Sequence, residues 1–110
     1  MHYNVHVITY KITNKARMIK YFFEWDDEKN IINQQRHKIS FIDAQEAFYD
    51  ENRIIAKDDA HSEKEERLFC IGNTQKGILT VRFTVRGHHI RIIGAGKWRK
   101  WRKFYETKQS

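Results

Sequence analysis

The sequence predicts an α+β domain: an antiparallel sheet with helices on one side, two of them near the N-terminus and a basic one at the C-terminus. Three observations predict it. Leu79, Val81, Phe83 and Val85 alternate with Thr80, Arg82, Thr84 and Arg86, the period of a half-buried strand. Asp26 and Ser40 each stand ahead of a short helical pattern, where an N-cap belongs. Trp98, Trp101 and Tyr105 recur at helical spacing inside the basic run KWRKWRKFYE. With 110 residues, 40% of them hydrophobic and 14% aromatic, the chain carries apolar surface for one core and not for two.

The elements follow in order. Tyr3, Val5, Val7, Ile8 and Tyr10 have β character. Residues 1–17 are therefore read either as an extension left by an upstream start or as an added strand, ahead of a single domain at 18–110. Ile19 to Trp25 is aromatic-rich and reads as a strand; Asp26 caps a helix over 27–36, with acidic Asp27 and Glu28 complementing its N-terminal dipole. Ser40 with Asp43 resembles a capping box, and Phe41, Ala44, Ala47 and Phe48 give a second short helix ending near Asp50. Residues 58–66 are almost all polar and read as an exposed loop. Leu68 to Gly72, Ile78 to Arg86 and His89 to Ile93, separated by glycine-bearing turns, form an antiparallel meander. The basic helix closes the chain. No apolar run reaches the length of a bilayer crossing, and a single cysteine, Cys70, excludes an internal disulfide framework and fits a reducing cytoplasm.

Charge is divided unevenly. Residues 1–66 carry ten basic and thirteen acidic side chains, a net of −3; residues 67–110 carry eleven basic ones against Glu106 alone, a net of +10. A polyanion is drawn to one half of such a molecule and repelled by the other, which makes nucleic acid the leading partner. On the middle strand Arg82 and Arg86 share a face about 13 Å apart, a span of roughly two phosphates of an extended RNA. In the last helix Lys97, Arg99, Lys100, Arg102 and Lys103 are the nucleic-acid-binding candidates, while Trp98, Trp101 and Tyr105 read as its docked face. No helix-turn-helix or zinc signature supports a DNA-binding factor.

Several strings, in order, carry a family resemblance: Phe23-Glu24-Trp25-Asp26 with Lys29, Asn33 and His37; Ser40-Phe41 with Ala44; His61-Ser62 and Glu65-Glu66-Arg67; Ile71-Gly72; Thr84 and Arg86; and Arg91-Ile92-Ile93 before a basic helix ending Tyr105-Glu106. Over about residues 18–106 the chain resembles BrnT, the toxins of type II toxin–antitoxin modules. The resemblance implies a RelE-like fold, an endoribonuclease that arrests translation, and a hetero-oligomer with a BrnA-like ribbon-helix-helix antitoxin. Two departures stand out. Gly94-Ala95-Gly96 replaces the Ser-Ala-Arg common in the family, removing an arginine, and Lys38 replaces the glycine that usually follows the histidine.

RNA is cut without metal when its 2′-OH attacks the adjacent phosphate, which requires two proton transfers and a counter-charge for the phosphorane. Arginine supplies a planar, permanently charged fork for the phosphate, and histidine suits the proton transfers. The catalytic candidates are His37 as acid or base, Arg67, Arg82, Arg86 and Arg91 as a phosphate cradle, and Lys29 assisting; Glu66 and His61 are weaker candidates. Each has a plainer role too. His37 suits the C-terminal end of a helix, the strand arginines a solvated face, and Glu65 and Glu66 structural ion pairs. No metal site or cofactor is expected: His88 and His89, adjacent on a strand, point to opposite faces. The leading function is a metal-independent endoribonuclease toxin; the alternative is a catalytically inactive RNA-binding or regulatory module of the same fold.

Overall fold

The computed structural model describes residues 3–12, 17–62 and 64–109, with side chains for 22–60, 62 and 64–109. Strands β1 (Tyr3–Ile12) and β2 (Arg17–Asp26) pair along their full length, Tyr3 opposite Asp26. Helix α1 (Asp27–His37) follows, then α2 (Phe41–Ala44), which continues as a 3-10 segment over Gln45–Tyr49. Next come β3 (Ile54–Lys57), a 3-10 turn at Asp59–His61, β4 (Leu68–Thr74), β5 (Gly77–Arg86), β6 (His89–Gly96) and α3 (Arg99–Gln109). Among the described residues the six strands form one sheet in the order β1-β2-β6-β5-β4-β3.

The α+β class and the β4-β5-β6 meander are as expected, but the sheet is mixed rather than antiparallel. β2 lies parallel to β6, with Phe22, Phe23 and Glu24 opposite His89, Ile90 and Arg91. Three reversals link β3, β4, β5 and β6, and they bring β6 back running in the direction of β2. Sequence patterning carries no information on such a pairing, because its partners lie more than 60 residues apart. β3 was likewise invisible: four residues, half-buried and exposed in alternation, become a strand only by pairing with β4.

Local chemistry sets the helix ends. Asp26 Oδ1 accepts from the amides of Glu28 (2.8 Å) and Lys29 (3.4 Å), as an N-cap should. Lys38 ends α1 in the left-handed region at φ 62°, its amide donating to the Gln34 carbonyl. The turn that glycine would make is therefore retained with a lysine in it. Ser40 Oγ accepts from Asp43 N at 3.0 Å, but the helix it opens is one α-turn long before tightening to 3-10. The tightened segment presses on β4: a Cβ at Gly72 would collide with the Ala47 carbonyl, and the Cys70 thiol donates to the same oxygen at 3.7 Å. Burial pushes that thiol up to about 12, so it remains neutral.

Both faces of the sheet are covered, which corrects the expectation of helices on one side. One face, packed under α2 and its 3-10 extension, holds Phe23, Phe41, Phe48, Val81, Phe83 and Ile92. The other holds Phe69, Ile71 and Tyr105, with Ile54, Ile78 and Trp101 against them, beneath α3. The reason lies in β4, where Phe69 and Ile71 are apolar on one side and Cys70 on the other, so neither side can face water. Thr80 and Thr84 are accordingly buried and Val85, at the strand's end, is exposed, in partial reversal of the alternation expected. α1 covers an edge instead of a face. Where β2 ends, Asn33 takes its place beside β6, donating to the Ala95 carbonyl (2.9 Å) and accepting from the Ala95 amide (3.1 Å). Its amide also reaches the Ile39 carbonyl at 2.8 Å, fixing the turn after α1.

Candidate active site and nucleic-acid interface

The half of the second face that α3 leaves uncovered is polar. The register places Glu24 of β2, His89 and Arg91 of β6, and Arg82, Thr84 and Arg86 of β5 side by side on it. The segment from Asp58 to Arg67 lies over this surface, and the serine of its HSEKEER string staples it. Ser62 Oγ donates to the Asp58 carbonyl (2.7 Å) and accepts from the Arg67 amide (3.0 Å), while Asp58 N donates to the Arg67 carbonyl (2.8 Å). Thr84 Oγ1 donates to the Glu66 carbonyl at 2.8 Å, tying the segment to β5. The described residues of this segment, 58–62 and 64–66, are thus docked on the sheet as a strap and not a free loop, and Asp58 is buried.

Each arginine of β5 and β6 meets a carboxylate from the acidic half of the chain. Arg82 Nε lies 3.1 Å from Asp58 Oδ2 with its guanidinium over the Phe69 ring. Arg86 holds Glu65 Oε2 through Nε (3.1 Å) and a terminal nitrogen (3.0 Å). Arg91 Nε is 3.8 Å from Glu24 Oε1, and His89 Nδ1 is 3.7 Å from the same oxygen, the imidazole stacked on Phe22. The charge asymmetry of the sequence is therefore folded onto itself across this face. Arg82 is pinned between a buried carboxylate and a ring.

Beside this row, Lys29, Arg67 and Arg91 converge on a cleft of about 50 Å³ that Asp26, Glu65, Ile92 and Ile93 complete. Its parts come from separate elements: Lys29 from the first turn of α1, Arg91 from β6, and Glu65 and Arg67 from the strap. Three cations and two carboxylates around one small space, with Asp26 engaged as the cap of α1, can hold a phosphate and move a proton.

Other candidates lie elsewhere. His37 is exposed at the end of α1, its ring edge-on to Trp98 at 5.6 Å. Eight residues separate it from Lys29, about 12 Å along the helix, so it is not gathered with the arginines. Glu66 is exposed and contributes its carbonyl; the His61 side chain lies outside the described residues. His89 is the functional candidate that sequence reasoning missed as an acid or base, although its two-residue spacing from Arg91 already put both on one face. Of the five terminal cations, Lys97, Arg99 and Arg102 line a groove of about 400 Å³ with Asn73, Gly77 and Ile78. Lys100 and Lys103 border a different, largely apolar groove with Trp101, Phe104 and Ala56. Trp101 and Tyr105 dock α3 as expected, whereas Trp98 precedes the helix and lies on Gly96.

Among the described residues no three His, Cys, Asp or Glu side chains gather as metal ligands, and no helix is long and apolar enough to cross a membrane. Among curated proteins, none matches the chain. A family model described as the ribonuclease toxin, BrnT, of type II toxin–antitoxin systems matches residues 25–101, a span from the end of β2 to the first turn of α3 that includes Lys29, Arg67 and Arg91. The chain belongs to the BrnT family of ribonuclease toxins.

Proposed function

We propose that this chain is a cytoplasmic endoribonuclease toxin with a RelE-like domain, cutting RNA without a metal ion and neutralised in a hetero-oligomer by a BrnA-like ribbon-helix-helix antitoxin. The observation that carries the chemistry is the convergence of Lys29, Arg67 and Arg91 with Glu65 on one cleft. In this reading Arg67 and Arg91 bind the scissile phosphate and stabilise the charge it gains in the transition state, with Lys29 assisting. Glu65 takes the proton of the 2′-OH, which attacks phosphorus. The P–O5′ bond breaks, and His89, oriented by Glu24, protonates the departing oxygen, leaving a 2′,3′-cyclic phosphate and a 5′-OH. Arg86 fixes Glu65, and Arg82 supports the strap; His37 contacts RNA away from the scissile bond.

Incubation of folded protein with single-stranded RNA in excess EDTA tests this. The expected result is cleavage with cyclic-phosphate ends, reduced roughly 100-fold or more in Arg67→Ala and in Arg91→Ala. One observation favours the second reading, a non-cleaving RNA-binding module: Arg82, Arg86 and Arg91 already hold carboxylates in the free protein. RNA that is bound yet remains intact in the wild type would establish that reading and overturn the catalytic one.

A further inference from the structure

We infer that the groove lined by Lys97, Arg99 and Arg102 is a second RNA site, binding the phosphodiester backbone of a single strand whose scissile phosphate lies in the cleft. The inference rests on the reading of RNA as substrate and adds where the rest of that strand goes.

The two sites differ in how their cations are occupied. Every arginine on the sheet face has a carboxylate partner, whereas no carboxylate lines this groove. Among the described residues Lys97 and Arg99 have no ion pair, and Arg102 has a loose, exposed one to Glu106 at 3.6 Å. With about 400 Å³ of space, the groove is far roomier than the cleft. Uncompensated cations around a concave surface concentrate a polyanion and release its counterions.

The groove is built into the fold. Gly77 opens β5 with φ 99°, a backbone conformation that favours glycine, and the end of the Lys97 side chain lies against this turn, 3.9 Å from where a Cβ would sit. Between Lys97 and Arg99, Trp98 is anchored on Gly96, which fixes the spacing of the two cations across the entry to α3. On β5 the groove begins at Gly77 and the cleft lies level with Thr84, the partner of Arg91. Seven residues of strand separate them by about 23 Å, a distance that several nucleotides of single-stranded RNA span. For a strand that leaves the cleft the groove is a second gathering of cations, one with no carboxylate in its lining. An acidic protein segment would find the same charges, but a groove walled by the guanidinium forks of Arg99 and Arg102 suits repeated phosphates better than carboxylates on a folded surface.

The test uses a 12-nucleotide 2′-O-methyl RNA, which cannot be cleaved, and follows its binding to the full chain from low to moderate salt. The triple variant Lys97→Gln/Arg99→Gln/Arg102→Gln should lower the slope of log Kd against log salt by about 2 and weaken binding roughly tenfold or more. The charge-preserving triple variant Lys97→Arg/Arg99→Lys/Arg102→Lys should keep the slope, which separates lost charge from lost folding. A dinucleotide analogue, too short to reach the groove, should lose no such increment. An unchanged slope in the neutral triple variant overturns the inference while leaving the RNA reading standing. Failure of the wild type to bind RNA overturns both. Equal, groove-dependent binding of a 12-base-pair DNA duplex, or tighter groove-dependent binding of poly-glutamate of matched charge, overturns the assignment to single-stranded RNA.

Discussion

Lys38 holds the left-handed turn after α1 at φ 62°, a conformation that costs an L-residue about 1 kcal/mol or more relative to glycine. Lys38→Gly should therefore stabilise the protein by about 1 kcal/mol, read as a higher urea midpoint at constant slope. A second residue with a measurable signature is Tyr105. Its hydroxyl donates to Asp50 Oδ2, which also accepts the Asn73 amide at 2.7 Å, while Asp50 Oδ1 accepts the Asn52 amide at 2.9 Å. Burial alone would raise the Asp50 carboxyl, but these bonds and the nearby Arg53 charge outweigh it and hold the group below its ordinary value. Tyr105 is pushed up to about 12, first by burial and then by Asp50. The signs follow from linkage. Asp50 contributes stability that is present above the ordinary carboxylate value and lost as pH falls through the lowered one; Tyr105 contributes stability present below 10 and lost as pH rises through about 12. Tyr105→Phe should cost about 1 to 2 kcal/mol near neutrality and make the alkaline decline shallower, leaving the part that the buried Cys70 thiol contributes, checked by urea midpoints across pH. Legibility at this scale follows the range of the chemistry. Asp26 was readable because a cap is satisfied within three residues, whereas Asp50, which joins β4 to α3, has partners 23 and 55 residues away.

At the scale of elements, helices and hairpins were legible and their docking was not. β4 and β5 announce themselves by composition and by their turn, but the placement of α3 on the face opposite α2 depends on two apolar sides of one strand, and α1's position depends on Asn33. That residue belongs to the strings that carry the family resemblance, but its partner lies 62 residues away and nothing around it tells that it supplies β6 with the hydrogen bonds of a missing strand. Asn33→Ala leaves the Ala95 and Ile39 backbone groups unmatched in a buried place and should cost about 2 to 4 kcal/mol, measured by denaturant unfolding. The same variant should speed hydrogen exchange at the Ala95 amide before that of the β4–β5 pairs, since it opens an edge and not the centre. Of the candidate site, Lys29, Arg67 and Arg91 were all named by sequence and are brought together, while His37 was named and is not, because residue type says nothing about which end of a helix meets a strap.

For the whole molecule the decisive quantity is how opposite charges are matched across the sheet. Glu24, Asp58 and Glu65, all from the acidic half, neutralise the sheet face, while the entry to α3 keeps its excess. Removing one carboxylate should therefore strengthen the attraction of RNA even where it harms chemistry. Glu65→Gln is expected to bind uncleavable RNA several-fold more tightly, with a salt slope steeper by about 0.7, and to cleave ordinary RNA more slowly. Anisotropy titration and gel analysis of the same preparations check the two halves of that statement, and a loss of binding would contradict the role given to Arg86 and its partner.

The parallel seam between β2 and β6 also sets an order in time. Contacts so distant along the chain close late in folding, because the entropy of the intervening loop must be lost before they form. Asp26 and Lys29 reach the cleft from one side of this seam, and Arg67 and Arg91 from the other. During synthesis the first two emerge from the ribosome long before the last, and Asn33 waits for Ala95 to complete the join. A nascent chain therefore lacks an assembled cleft until nearly all of it has been made.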